Sequence, residues 1–391
     1  MKIDMARRNF MGKMAIVLGY AGLGPLQLSA QNRVRQGAAA AAPDPKKVDY
    51  DKLAKLANNE NPYGPSEAVM KAMNDAWKYA NRYGYPDGGI VEAIAEHHHV
   101  KPENVLIGCG STEILKVVDD AFLPDHKLVV GVDPTYETVY RYATNSKAKA
   151  IAIPLTKTHD ADMKEIIRIT KLNARDVGVV YICNPNNPTG RIVPRDDIKL
   201  LVDSIPADIP VFIDEAYHHF VDDPNYETSV KYVIEGRKVI MARTFSKIAG
   251  LAGMRLGYAI APKEIIDQLR PFTMNYNTNA IVKYGGVAAL KDTANEARLK
   301  QLNKQIRDRV TTELKTMGYE VMPSQTNFFM VNVKKDVTAV AEDFLKKGVI
   351  VGRKFSPMNE WLRVSVGTDD EMKRFMVAFK ELLPSQQTKV G

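Results

Sequence analysis

The chain reads as α/β: a doubly wound, mostly parallel sheet in a large domain, followed by a smaller α+β C-terminal domain. Three observations predict it. Short apolar runs such as Val177-Gly178-Val179-Val180-Tyr181-Ile182 and Val239-Ile240-Met241-Ala242 have the pattern of strands buried on both faces. These runs alternate with helical stretches, the order of a parallel sheet with crossovers. Loops dense in Asn, Pro, Asp and Tyr follow the runs, where open α/β sheets bind ligands.

Composition narrows the class. The 391 residues are 45% hydrophobic and 26% charged, ordinary for a soluble chain with room for two domains. Residues 1–42 carry +5 of the net charge of +8, so the remainder holds only +3 and nucleic-acid binding loses its main support. Cys109 and Cys183 lack the spacing of a metal-ligand pair, so neither a disulfide framework nor a metal site is predicted.

The N-terminus stands apart. Arg7-Arg8-Asn9-Phe10 precedes an apolar run over residues 14–24, an order that resembles a twin-arginine export signal, although Gly12 stands where that signal usually has Lys. The run is too short and Gly-rich for a stable membrane span. A periplasmic or exported protein is predicted, and a cytoplasmic one if the signal is a chance Arg-Arg. Residues 1–42 are assigned to signal and linker, 43–80 to an N-terminal arm joining the small domain, 81–270 to the large domain and 271–391 to the small one.

Within the folded part, Asn58-Asn59-Glu60-Asn61-Pro62-Tyr63-Gly64-Pro65 is an irregular loop, and Ser66 is the N-cap of a helix ending near Ala80. The loop 81–89 contains Tyr83 and Tyr85-Pro86-Asp87. A strand at Val105-Leu106-Ile107-Gly108-Cys109 then meets Gly110-Ser111-Thr112-Glu113, a glycine bend opening a helix whose N-terminus suits a phosphate. Later strand ends deliver Asp133-Pro134-Thr135-Tyr136, Asn184-Pro185-Asn186-Asn187, Asp214-Glu215-Ala216-Tyr217 and Thr244-Phe245-Ser246-Lys247, with Arg255 shortly after. In the C-terminal part, Leu299, Leu302, Ile306, Val310, Leu314 and Met317 recur at helical spacing before Gly318. Arg363 interrupts the apolar strand Leu362-Arg363-Val364-Ser365-Val366, and its planar fork suits a carboxylate or phosphate.

Each loop alone has a bland explanation. Tyr136 packs on a helix, Asp214 caps one, and Lys247 is one cation among 54 Lys and Arg. Together they match one chemistry. A strand-end carboxylate can hold a pyridine nitrogen protonated, an Asn amide and a Tyr hydroxyl can bond a ring phenolate, and a lysine amine can condense with an aldehyde. Pyridoxal 5'-phosphate wants all of these.

The chain from about Leu53 to about Leu383 resembles the fold-type I aminotransferases, and most closely the histidinol-phosphate aminotransferase group. The resemblance rests on the 58–65 loop, the Asn184 to Gly190 loop, Ser246-Lys247 and Leu362 to Thr368. It implies that Lys247 bonds the cofactor, that Asp214 partners the ring nitrogen, and that Asn187 and Tyr217 ligate the ring oxygen. It further implies that Tyr136 stacks on the ring and that Ser111, Thr112, Ser246 and Arg255 hold the phosphate. Arg363, Tyr63 and Asn187 would bind substrate, with Asn327 nearby. A homodimer with shared sites is implied, Tyr85 of one subunit reaching the other's phosphate, with Tyr83 as the competitor.

The expected reaction moves an amino group between an amino acid, or an amine like histidinol phosphate, and a 2-oxo acid such as 2-oxoglutarate. An exported enzyme and a cytoplasmic biosynthetic intermediate point in different directions, which leaves the donor open. In the run Gly348-Val349-Ile350-Val351-Gly352-Arg353-Lys354 the arginine is displaced by one residue from the group's usual place and lacks its following acid, which weakens the case for a phosphate ester. Two alternatives remain: a decarboxylase of a phosphorylated amino acid on the same cofactor, and an exported, catalytically idle cofactor-binding protein.

Overall fold

A computed structural model describes residues 49–124, 126–145, 148–274 and 277–386; the expected export signal and linker lie outside them. The strands in chain order are β1 (Ala54–Leu56), β2 (Val105–Gly108), β3 (Leu128–Asp133), β4 (Lys149–Pro154), β5 (Val177–Cys183), β6 (Val211–Asp214), β7 (Val239–Thr244), β8 (Gly257–Ile260), β9 (Phe328–Asn332), β10 (Val349–Val351) and β11 (Trp361–Ser365). Seven of them form one sheet in the order β2-β8-β7-β6-β5-β3-β4. All neighbours are parallel except β8, which runs antiparallel to both β2 and β7.

The apolar runs explain the layers. Along β6 and β7, Val211, Ile213, Val239 and Met241 face one core, while Phe212, Ile240 and Ala242 face the other. The period of two sends alternate side chains to opposite faces, and both faces are covered. Full burial of a side chain such as Phe212 stabilises by about 1.5–3 kcal/mol.

A second core gathers β1, β9, β10 and β11 with the long helix Thr293–Thr316 and the helices Val337–Lys346 and Asp369–Leu382. Here β1 pairs parallel with β10, and β11 pairs antiparallel with β9. The start of the arm thus packs with the strands of the small domain. The rest of the arm does not. Val69 and Met73, in the helix Glu67–Asp75, belong to the large core, as do Ile281 and Val282 of the helix Ala280–Lys291. The boundaries at 80 and 270 therefore need correction: these two helices pack on each other against the large sheet. Their approach is close because Gly285 has no Cβ; one added there would meet Met73 Cγ at 2.7 Å. No helix among the described residues is long and apolar enough to cross a membrane.

Candidate active site

Sheet direction brings the candidate residues together. Strands β5, β6 and β7 are parallel, so the loop 184–190, Asp214 and Ser246-Lys247 leave from one edge. Asp214 sits in register between Cys183 and Ala242. The antiparallel β8 begins at that same edge, opposite Thr244 and Gly108, which places Arg255 just before it and Ser111 just after β2.

At the phosphate end, the helix Ser111–Phe122 starts at Gly110, whose φ of 74° and absent side chain leave the first amides uncapped. A Cβ at Gly110 would overlap the Arg255 guanidinium. Arg255 itself holds a left-handed backbone (φ 61°) and donates from Nη1 to Ser246 Oγ (3.4 Å) and to the Ala252 carbonyl (2.9 Å). Ser246 is fixed by Thr244, whose hydroxyl donates to Ser246 Oγ at 2.9 Å and accepts from the Ser246 amide at 3.0 Å. Uncapped amides, a guanidinium and a hydroxyl at one sheet edge are groups that could cradle a phosphate.

At the centre, Asp214 is buried and accepts from the Ala216 amide (3.1 Å) and, at 3.5 Å, from the Tyr181 hydroxyl. Burial pushes its carboxyl up to about 6, against the opposing pull of the Ala216 amide and the Lys247 charge. The Tyr217 hydroxyl accepts from Asn59 Nδ2 (3.0 Å) and Asn187 Nδ2 (3.4 Å), leaving its own proton free to donate. Burial raises that hydroxyl further above its ordinary value. Lys247 Nζ donates to the Asn58 carbonyl at 3.2 Å and lies 5.5 Å from the Tyr217 ring centre. Desolvation, then the Arg363 charge, lowers its amine to about 8. A buried carboxylate, a free hydroxyl proton and a depressed amine facing one space fit the ring and aldehyde of pyridoxal 5'-phosphate, with its phosphate in the cradle.

At the far end, Arg363 donates from Nη1 to Asn187 Oδ1 and from Nη2 to the Ala57 carbonyl, both at 2.6 Å. Among the described residues its Nε is buried without a partner, as is Asn327 Oδ1. Asn327 also donates to the Asn59 carbonyl at 3.0 Å. Arg363 pairs with no carboxylate among the described residues, and burial lowers it to about 10. An orphaned buried donor on an unpaired arginine calls for an anionic ligand. Tyr63, 40% exposed, lines a cleft with Asn61, Phe220, Ile248 and Asn327 beside this end.

Tyr136 is half-buried in the loop after β3, close enough to Arg363 and Tyr181 to perturb both. Tyr85 and Tyr83 are 82% and 85% exposed on the 81–89 loop, outside this chain's cluster. Sequence reasoning missed Asn59 as a site residue. Its left-handed φ of 55° lets the amide reach Tyr217 while its backbone N–H donates to Ser365 Oγ at 2.8 Å, and the Asn/Pro density of the 58–65 loop was the available signal. It also missed Tyr181 and Glu137. Arg353 does have an acid, supplied across the domain seam: Glu137 Oε1 accepts from Arg353 Nη2 at 2.9 Å.

Known proteins place the chain in a family. The family model for class I and II aminotransferases matches residues 51–379. A histidinol-phosphate aminotransferase of Caldicellulosiruptor saccharolyticus is 36% identical over 346 residues, covering 86% of this chain and 94% of that one. Its counterpart from Moorella thermoacetica is 36% identical over 338 residues, covering 85% and 86%. The crystal structure of the Sinorhizobium meliloti histidinol-phosphate aminotransferase, in complex with pyridoxal 5'-phosphate, superposes with a TM-score of 0.81 at 23% identity, covering 93% of this chain and 98% of that one, a likeness of fold. With a lysine, an aspartate and a phosphate cradle on one sheet edge and these likenesses spanning most of its length, the chain belongs to the class I and II aminotransferase family.

Proposed function

We propose that the protein is a pyridoxal-phosphate-dependent aminotransferase that takes the amino group of an amine with an anionic end and passes it to a 2-oxo acid such as 2-oxoglutarate. The observation that carries this reading is the place of Lys247, whose amine donates to the Asn58 carbonyl at 3.2 Å and lies 5.5 Å from the Tyr217 ring centre, at the sheet edge that also carries buried Asp214. The bound cofactor supplies an aldehyde that condenses with amines and a ring that accepts the electron pair released at the substrate α-carbon.

The chain's own residues do the rest. Arg363 binds the anionic end and so aims the α-C–H bond toward Lys247. Lys247 Nζ, half neutral near pH 8, takes the α-proton and returns it on the other side of the transfer. Asp214, whose carboxyl burial raises to about 6, would hold a proton on the ring nitrogen of the bound cofactor. Tyr217 and Asn187 would donate to the ring oxygen of the bound cofactor, Ser111, Thr112, Ser246 and Arg255 would hold its phosphate, and Tyr136 would cover the ring.

The name of the curated relatives supports histidinol phosphate as one donor candidate. The decarboxylase and idle-binder alternatives are not favoured, since relatives of 30–36% identity over most of the chain are aminotransferases. The test is a half-reaction screen: cofactor-loaded protein mixed with a panel of amines, following the visible band, keto product and carbon dioxide. Keto product without carbon dioxide is expected; carbon dioxide, or an unchanged spectrum with every amine, would sink the reading.

A homodimer belongs to the same proposal, with Tyr85, or Tyr83, completing the partner's phosphate cradle. Their exposure alongside Trp77 (62%) and Met274 (71%) supports it, and sedimentation at a monomer's mass would remove it. Export through the twin-arginine-type N-terminus is supported by Arg7-Arg8 and Phe10; full-length protein confined to the cytoplasm of the native host would end that idea.

A further inference from the structure

Two arginines share one wall of the anionic end. The guanidinium carbon of Arg363 lies 4.7 Å from the Phe355 ring centre and that of Arg353 lies 4.3 Å from the same ring. Their compensation differs. Arg363 has only neutral partners, Asn187 Oδ1 and the Ala57 carbonyl. Arg353 is held by Glu137, whose Oε1 accepts from it and from Arg141, each at 2.9 Å. Arg141 is 43% exposed, so water screens its charge, while Glu137 and Arg353 are 28% and 27% exposed. Glu137 directly follows Tyr136, so the loop that covers the cofactor ring also carries the carboxylate that occupies Arg353.

We propose that Glu137 is a specificity-determining residue: by occupying Arg353 it leaves one uncompensated arginine at the anionic end, matched to a carboxylate and not to a phosphate monoester. A carboxylate brings one negative charge, which the fork of Arg363 meets in full. A phosphate monoester brings close to two at neutral pH. Its second charge would need Arg353, and Glu137 must be displaced before that arginine can turn to a ligand. The residue acts through Arg353 and touches no reacting atom, so it is a positioning residue. The inference rests on the aminotransferase reading and names the substrate class it favours, an α-amino acid.

Histidine and histidinol phosphate form the diagnostic pair, because they share the imidazole and the amine-bearing carbon and differ only at the anionic end. In the cofactor-loaded enzyme, Glu137→Gln should raise the ratio of KM for histidine to KM for histidinol phosphate by at least about fivefold, the scale of one partly exposed ion pair. Arg353→Met should move that ratio by less than about twofold in the natural background and cancel the gain in the double variant. A ratio that stays or falls in Glu137→Gln overturns the proposal. So does a loss of about tenfold or more for histidinol phosphate in Arg353→Met, and this second arm decides the matter if Glu137→Gln does not fold. Should neither amine yield keto product, the aminotransferase reading is what fails for them, and the ratio of dissociation constants from spectral titration still decides on Glu137.

Discussion

At the phosphate end, Arg255 and the Ser246 hydroxyl it bonds are nine residues apart and rest on one rigid sheet. At the anionic end, Arg363 reaches Asn187 and Ala57, which lie 176 and 306 residues away, and the contact with Asn187 crosses the seam between two cores. At the first end the arginine is bonded to a carbonyl and a hydroxyl of its own neighbourhood, beside the uncapped amides of the helix Ser111–Phe122. The second keeps unsatisfied atoms, Arg363 Nε and Asn327 Oδ1. The difference teaches that cofactor chemistry is written into local chain, whereas substrate choice is written into how two domains meet.

The comparison breaks most violently at the residue both ends share. Lys247→Ala should abolish the visible band of bound cofactor and lower turnover by about 10³-fold or more, read by absorbance and steady-state rate. Arg363→Met should lower kcat/KM for amino acids by about 100-fold or more, since a buried charge partner is lost, while cofactor affinity stays within about threefold. Arg255→Gln should do the reverse: cofactor affinity weakens by about 10-fold or more, measured by fluorescence titration, with the preference among amines retained.

A smaller effect links the two ends through charge. Cofactor attachment to apoprotein needs the neutral Lys247 amine, so its rate should climb with pH and level off above about 8. Arg363→Met removes a cation that opposes protonation, and the plateau should move to higher pH. The smallest effect on activity belongs to Asp119, a second buried aspartate, in the helix behind the phosphate cradle. Both its oxygens lack partners, and burial, aided by the neighbouring Asp120 charge, raises it to about 9. A carboxyl with a raised folded-state pKa favours the fold at low pH, and that advantage is lost as pH climbs from about 4 to about 9. Asp119→Asn should therefore flatten the decline of Tm between pH 5 and pH 8 while sparing turnover.

Much of this was legible in the chain. The buried runs of β5, β6 and β7 announce a parallel sheet, and that topology alone sends Asp214, Asn187 and Lys247 to one edge. What escaped has a common physical cause. The helices Glu67–Asp75 and Ala280–Lys291 show apolar faces, but a face does not say which of two cores receives it. Glu137 and Arg353, 216 residues apart, form a pair only because the small domain docks where it does. The left-handed turn at Asn59 is likewise imposed by Ser365 and Asn327, from the far end of the sequence.

The central claim is that the chemistry is organised on Lys247 at the sheet edge. Purified protein loaded with pyridoxal 5'-phosphate, reduced with borohydride to fix the cofactor to its lysine and digested for mass spectrometry, tests it most directly. The account predicts the label on the peptide containing Lys247 alone; a label on another lysine, or none, would contradict it.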